Sequence, residues 1–252
     1  LDKIRVKFDD AVSKNNISLN LNHFDTKVET FDLENMNFEV PKITLDGLAV
    51  NLKQGIVEKL AQETEEAVEE QSKNPTLKLK LGEIDLSRIN LGYENETNKM
   101  VTKNTLEKLL IKFNSIDIEN QNIEIQGLAL EGVKSVLVMG KLDVQPKETT
   151  ADTTQIAPAD NNWKLKLNRA DLKQIAFYFD DANSAPLKRG IDYKHLDITD
   201  LNLEAEQLAY SPATISGNIN NFRVKDKSGV DIQNLQTDFF YGEKGASLKK
   251  LY

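Results

Sequence analysis

Apolar and polar residues alternate along most of the chain. Leu77, Leu79 and Leu81 are separated by lysines, Ile116 and Ile118 by an acid, and Ile123 and Ile125 by another. Ile215, Ile219, Phe222 and Val224 continue the habit, with Ile232 and Leu235 after them. A period of two sets one face of an extended strand against something apolar and leaves the other in water. Glycine closes the pairs Asp46-Gly47, Glu131-Gly132, Ser216-Gly217, Ser228-Gly229 and Tyr241-Gly242, where a positive φ would turn the chain. The pattern predicts strands joined as antiparallel hairpins in a meander.

The strands also repeat. FDLENMNFEVPKITLDG (31–47) lies over IDIENQNIEIQGLALEG (116–132) without a gap, 85 positions on. Asp32/Asp117, Glu34/Glu119, Asn35/Asn120, Asn37/Asn122, Glu39/Glu124 and Gly47/Gly132 are identical. IRVKF (4–8), INLGY (89–93) and IAFYF (175–179) share their alternation and end on an aromatic residue. LDITDLNLEA (196–205) matches IDIENQNIEI (116–125) at an offset of 80, which gives the third copy a shorter loop. LKLKL (77–81) recurs as WKLKL (163–167) and leads into the unit. A fixed period marks stacked architecture, and here one period of about 85 residues carries several strands.

Two segments break the pattern. LKQGIVEKLAQETEEAVEEQ (52–71) sets Ile56, Val57, Leu60, Thr64, Ala67 and Val68 in one stripe against a glutamate-rich back and stops at Asn74-Pro75. That spacing predicts an amphipathic helix. QPKETTADTTQIAPADNN (145–162) has the composition of a flexible linker. The expected organisation is a partial first β module over 1–51, helix and linker over 52–76, a second module over 77–144, a linker over 145–162 and a third module over 163–252. TLEKLLIKF (105–113) has helical spacing too, but its counterpart KRGIDY places a glycine inside, so strand is expected over 111–119 with a helical turn before it.

Chemistry is sparse. The net charge is -8, and lysines are interleaved with acids, so nothing offers the clustered base that nucleic acid requires. Absence of cysteine removes disulfides, thiolate metal sites and thiol nucleophiles. No apolar run reaches the ~20 residues of a membrane helix. The chain starts at Leu1, and we expect it to be a slice of a longer protein whose anchor lies elsewhere. Of two histidines, His23 is expected at an exposed strand position, and His195, aligned with Ser115 and Thr30, on the solvent side. The pairs Asp9-Asp10 and Asp180-Asp181 lack a D-x-D-x-D-G frame and are expected in solvated turns. Trp163, in the place of Leu77, reads as a packing residue. No nucleophile motif, phosphate loop or metal-ligand spacing occurs, and neither enzyme, cofactor nor metal is expected.

Half-apolar strands either clasp a second sheet or line an open groove. Aromatics are modest at 7 per cent, Leu, Ile and Val dominate, and modules of constant length favour extension along one axis. At residues 190–252 the forms HLDIT-x-LNL, I-x-NF-x-V-x-D-KSG and L-x-TDF-x-Y resemble the repeated region of the translocation and assembly module TamB family, in the versions found in Bacteroidota. That family sits within the AsmA-like, bridge-like lipid-transfer group. The resemblance covers 163–252 directly and 1–145 through the internal repeat. It implies a mostly β fold, an elongated repetitive antiparallel sheet curled into a trough (a β-taco), with the helix as an insertion. It further implies a periplasmic location, an inner-membrane anchor outside this chain, phospholipid acyl chains as cargo, and an outer-membrane barrel protein of the assembly machinery as partner. The expected lipid-binding groove is Leu77, Leu79, Leu81, Ile116, Ile118, Ile123, Ile125, Leu165, Leu167, Ile198 and Leu203. At about 4.8 Å per strand, three modules would span roughly 60–70 Å. The competing expectation is a structural or adhesive stack of β-sandwiches that presents loops to a protein partner.

Overall fold

The structure, a computed structural model, describes residues 1–55, 77–142, 162–243 and 245–252. Among them there is no helix; they form thirteen strands in one mixed sheet. The first repeat supplies β1 (Asp2–Asp10), β2 (Asn15–Lys27), β3 (Thr30–Asp32) and β4 (Asn37–Gln54). The second supplies β5 (Lys78–Asn95), β6 (Met100–Asp117), β7 (Asn122–Glu131) and β8 (Lys134–Met139). The third supplies β9 (Lys164–Asp181), β10 (His195–Ser211), β11 (Thr214–Asp226), β12 (Asp231–Gly242) and β13 (Gly245–Lys249).

Strand order across the sheet is β1-β2-β4-β5-β6-β7-β9-β10-β11-β12-β13. The short β3 lies beside one part of β4, while β7 and β8 both pair with β6 and β9 and so share one place. Eleven strand positions span roughly 50 Å at about 4.8 Å each, less than the strand count suggests, because β3 and β8 add none.

Hairpin pairing is antiparallel, as the alternation predicts, but the repeats do not join that way. β4 runs parallel to β5, with Leu45 opposite Leu86, and β7 and β8 run parallel to β9, with Leu130 opposite Leu172. The sheet is therefore mixed rather than antiparallel throughout. Parallel neighbours need a return connection of a dozen or more residues. Segments 55–77 and 140–163 are those connections, and this is why both sequence interruptions fall between repeats. Leu52, Lys53 and Gln54, at the start of the expected helix, belong to β4; the rest of its stripe lies outside the described residues.

Two local expectations are corrected. Residues 105–113 are strand from end to end, inside β6, with no helical turn. Leu106 and Leu109 look helical by spacing because they stand three apart in β6, opposite Ile89 and Leu86, which are three apart in β5 around the left-handed Arg88. The offset-80 alignment of the third copy also fails. IDIENQNIEI crosses a turn at 118–121, whereas LDITDLNLEA is one uninterrupted stretch of β10. In the turn the Asp117 carboxylate accepts hydrogen bonds from the backbone N–H of Asn120 at 2.9 Å and its side-chain amide at 2.8 Å. Asp32 and Asn35 do the same in the first copy, at 3.0 and 2.7 Å. The third copy has Asp200 in place of the asparagine, with a left-handed φ of 55° and a shift of register, and the strand continues past it.

Burial is low for so large a sheet. Among the described residues only Ile89, Ala170, Ala205 and Val224 are buried hydrophobics, and no large side chain is fully covered. Every contacting pair of strands is a hydrogen-bonded neighbour. A facing layer would close over one side and bury a row of side chains; among the described residues none does.

Candidate functional site

Cross-strand partners project to the same side of a sheet, so the pairing registers identify continuous rows. One runs Phe24, Leu45, Leu86, Leu109, Leu130, Leu172, Leu203, Phe222, Leu235, from β2 to β12. All nine residues are half-buried. Their neighbours in the sheet shield their flanks, and among the described residues no second layer covers their tips. A parallel row runs Ile43, Ile84, Ile111, Leu128, Ala170, Ala205, Ile219. A third joins Ile116, Ile123, Leu165, Tyr210, Ile215 and Tyr241.

These rows share a face because the strands break the period of two at fixed points. Apolar residues fall at 38, 40, 43, 45, 48, 50 and 52 in β4. The same spacing of 2-3-2-3-2-2 recurs at 79–93 in β5 and 165–179 in β9. A step of three would throw the next side chain to the opposite face. One extra residue per step, in bulge fashion, cancels the flip. Five steps contain a left-handed residue immediately before the second apolar one: Gly47 (φ 69°), Arg88 (55°), Gln174 (56°), Asp200 (55°) and Gln207 (53°). At the step between Leu81 and Ile84, a Cβ on Gly82 would run into the carbonyl oxygen of Pro41, so the two backbones approach there as only glycine permits.

The opposite face is charged. Lys42 reaches Glu83 at 2.8 Å and Lys112 reaches the same carboxylate at 3.5 Å, a ladder over β4, β5 and β6. Lys80 pairs with Glu39, Lys166 with Glu124 at 2.9 Å, and Lys53 with Glu96 at 2.9 Å. Lys42 holds the Glu83 carboxyl below the usual carboxylate range through its hydrogen bond. One face is thus suited to water and the other is not.

Four of the eleven expected groove residues lie on these rows and five more face apolar partners. Ile116, Ile123 and Leu165 are consecutive in one; Ile125 faces Leu167; Leu203 belongs to the nine-strand row; Ile198 faces Phe177. Leu79 and Leu81 face Phe38 and Val40. Leu77 precedes β5 and is 37% exposed. Ile118 sits in the turn after β6 rather than in a strand, although Ile116, Ile118, Leu77 and Leu79 line one depression. The centre of the face, Leu45, Leu86, Leu109, Leu130 and Leu172, escapes a search for strict alternation. The shared 2-3-2-3-2-2 spacing of three segments is the signal that finds it.

The polar candidates make local hydrogen bonds. His195 is buried at 7% exposure rather than on the solvent side. Its Nδ1 lies 2.7 Å from Asp180 Oδ1 and its Nε2 3.2 Å from the Ser184 carbonyl oxygen. Two acceptors require two ring protons, and the hydrogen bond to Asp180 raises the imidazole above its ordinary pKa. Asp181 accepts from the Ser184 hydroxyl at 2.8 Å and from the Asn183 N–H at 3.1 Å, which lowers its pKa to about 2. Asp10 is bound in the same way by Ser13 and the Val12 N–H. The second acid of each pair, Asp10 or Asp181, therefore caps a turn, while Asp9 reaches Lys7 at 2.8 Å and Asp180 holds His195; Asp181 is buried rather than solvated. His23, partly exposed, pairs with Asp2 at 2.6 Å. Among the described residues no three metal-ligating side chains come together, and no helix is long and apolar enough to cross a membrane. No protein family, curated protein or solved structure matches this chain.

Proposed function

We propose that this chain is a segment of a lipid-transfer bridge, whose sheet curls into a trough and carries phospholipid acyl chains along its apolar face. The observation that carries the reading is the nine-residue row from Phe24 to Leu235, continuous over nine strands and covered by no other layer among the described residues. A contiguous apolar surface of this extent needs a hydrophobic occupant. Acyl chains suit it, because the rows offer continuity rather than a shaped pocket. Leaving a bilayer exposes hydrocarbon at about 0.8 kcal/mol per CH₂. A leucine surface replaces that water at every step and lowers the barrier without a catalytic group.

The setting that goes with this reading is the periplasm, between an inner-membrane anchor outside this chain and an outer-membrane barrel partner. A self-filled sandwich draws no support from half-buried rows. The test is to purify the protein without detergent, extract it with organic solvent and analyse the extract by mass spectrometry. Phospholipid should be recovered from the native chain and lost from Leu109→Asp/Leu130→Asp, with the circular dichroism of strand unchanged. A lipid-free native protein, or equal lipid in the variant, overturns the proposal.

A further inference from the structure

The apolar face carries polar residues at several points, Thr237 opposite Ile219 and Asp226 opposite Ile198 among them, and one of these is a neutral island of three side chains on β6 and β8. Along β5 and β6 the paired residues are apolar at Leu86/Leu109 and Ile89/Leu106, and then change to Leu91/Asn104 and Tyr93/Thr102. On the other side of β6, Asn104 faces Ser135 of β8. The three side chains bond to one another: Ser135 Oγ donates to Asn104 Oδ1 at 2.6 Å, and Asn104 Nδ2 donates to Thr102 Oγ1 at 2.9 Å. All three are half-buried. Among the described residues the Thr102 hydroxyl proton and the second Asn104 amide proton have no acceptor. The island therefore holds two neutral donors without a protein acceptor among the described residues, and no charge.

The other repeats place hydrocarbon at the same position. Val6 faces Leu19 and Phe8 faces Ile17 in the first; Phe177 faces Ile198 and Phe179 faces Leu196 in the third. These pairs correspond to Leu91/Asn104 and Tyr93/Thr102 through the shared motifs IRVKF, INLGY and IAFYF. The fold thus accepts leucine and isoleucine here, and the polar pair in the middle repeat is not demanded by the sheet. A reason outside the sheet is needed, and an occupant that accepts hydrogen bonds supplies one.

We propose that Thr102, Asn104 and Ser135 form a registration site for the ester-linked glycerol region of a diacyl lipid, its carbonyl oxygens accepting from Thr102 and Asn104. This rests on the lipid-transfer reading and deepens it. Position and length agree with the assignment. The island lies at the turn end of β5 and β6, a few residues from the turn at 96–99, so a headgroup would reach water beyond it. In the other direction, Leu109 lies about 17 Å along β6 from Asn104 at ~3.4 Å per residue. One leaflet of a bilayer, half of a core about 30 Å thick, has nearly that depth. Tails anchored at the island would reach the nine-strand row where it crosses β6, at Leu109. Neutral donors would tolerate any headgroup charge, so selection falls on the linkage between head and tail.

The test compares a diester phosphatidylcholine with its diether analogue, which keeps the tails and headgroup but lacks both carbonyls. Both are presented as fluorescent-tailed lipids in vesicles to the native chain and to Thr102→Leu/Asn104→Ile/Ser135→Ala, whose first two changes copy Leu196 and Ile198 of the third repeat. The native chain should extract the diester about three- to tenfold better, the worth of one net hydrogen bond. The variant should extract the two equally, at the diether level of the native chain. Equal extraction of both lipids by the native chain, or an undiminished diester preference in the variant, overturns the registration site while leaving lipid transfer intact. Extraction of neither lipid by the native chain overturns the lipid-transfer reading itself. A thermal melt of the variant within a few degrees of native confirms folding, and a reversal to Asn104 alone recovers part of the preference if the site is as described.

Discussion

Arg88 Nε donates to Asp46 Oδ1 at 2.8 Å across the parallel joint between the first and second repeats. The same carboxylate accepts from the Ser87 hydroxyl at 2.6 Å and from Asn22 Nδ2 at 3.2 Å, which holds it below its ordinary pKa. Arg88 is also the left-handed residue that returns Ile89 to the face of Leu86. One ion pair on the charged face therefore fixes the geometry that aligns the leucines on the other.

Substitutions at Arg88 separate these roles. Arg88→Gly removes the ion pair but accepts a positive φ without steric cost. Arg88→Val loses the pair and places a β-branched side chain where L-residues are disfavoured by about 1–2 kcal/mol. Urea unfolding should rank the valine variant below the glycine variant by roughly that amount. The reverse order would mean that residue 88 does not hold a bulge.

A half-covered leucine should be cheap to truncate unless lipid covers it. In delipidated protein, Leu109→Ala is expected to cost about 1 kcal/mol, well under the 2–5 kcal/mol of a fully packed core leucine. Lipid bound to the native state raises apparent stability by mass action, so adding phospholipid should raise the Tm of the native chain more than that of Leu109→Ala. A core-sized loss in the lipid-free state would indicate a covering layer.

His195 predicts a pH dependence. Its pKa is raised in the fold, chiefly by Asp180, so its contribution is complete below the unfolded value of about 6.5 and disappears as pH climbs through the folded value. The stability gap between the native chain and His195→Phe should narrow as pH rises from 6 toward 8 and beyond. Thermal unfolding across that range measures it; a gap independent of pH would mean that the ring is neutral.

Asp181 predicts the opposite sense. Its pKa of about 2 lies below the ordinary 3.8, owing first to the Ser184 hydroxyl and then to the Asn183 N–H. Its contribution is present above 3.8 and is lost as pH falls toward 2. Asp181→Asn should therefore be less stable than native at pH 7 and converge with it near pH 2. Chemical unfolding at the two pH values provides the comparison.

Much of this was legible beforehand, and the failures have specific causes. Alternation at Leu79–Leu81 and Ile123–Ile125 marked strands correctly because successive side chains of a strand project to opposite faces, one apolar and one charged. The turn at Asp117–Asn120 was missed, since strand was expected through 119; its signal is the carboxylate and amide three residues apart that recur at Asp32 and Asn35. Leu106 and Leu109 suggested helix because a bulge and a helical turn both bring residues three apart to one side. His195 looked solvent-facing because its aligned partners are small and polar; only the fold brings Asp180 and the Ser184 carbonyl to its two nitrogens.

The chain itself determined that it would be strand, that its units would repeat, and that each strand would have one apolar and one charged side, since these follow from residue spacing and solvation alone. Only the tertiary structure decided that the repeats join in parallel, that nine strands align their leucines into one row, and that no layer closes over it among the described residues. Those are matters of register between residues some forty positions apart. They depend on which backbone hydrogen bonds form between distant segments and on where extra residues restore the facing of side chains, and no local pattern contains either.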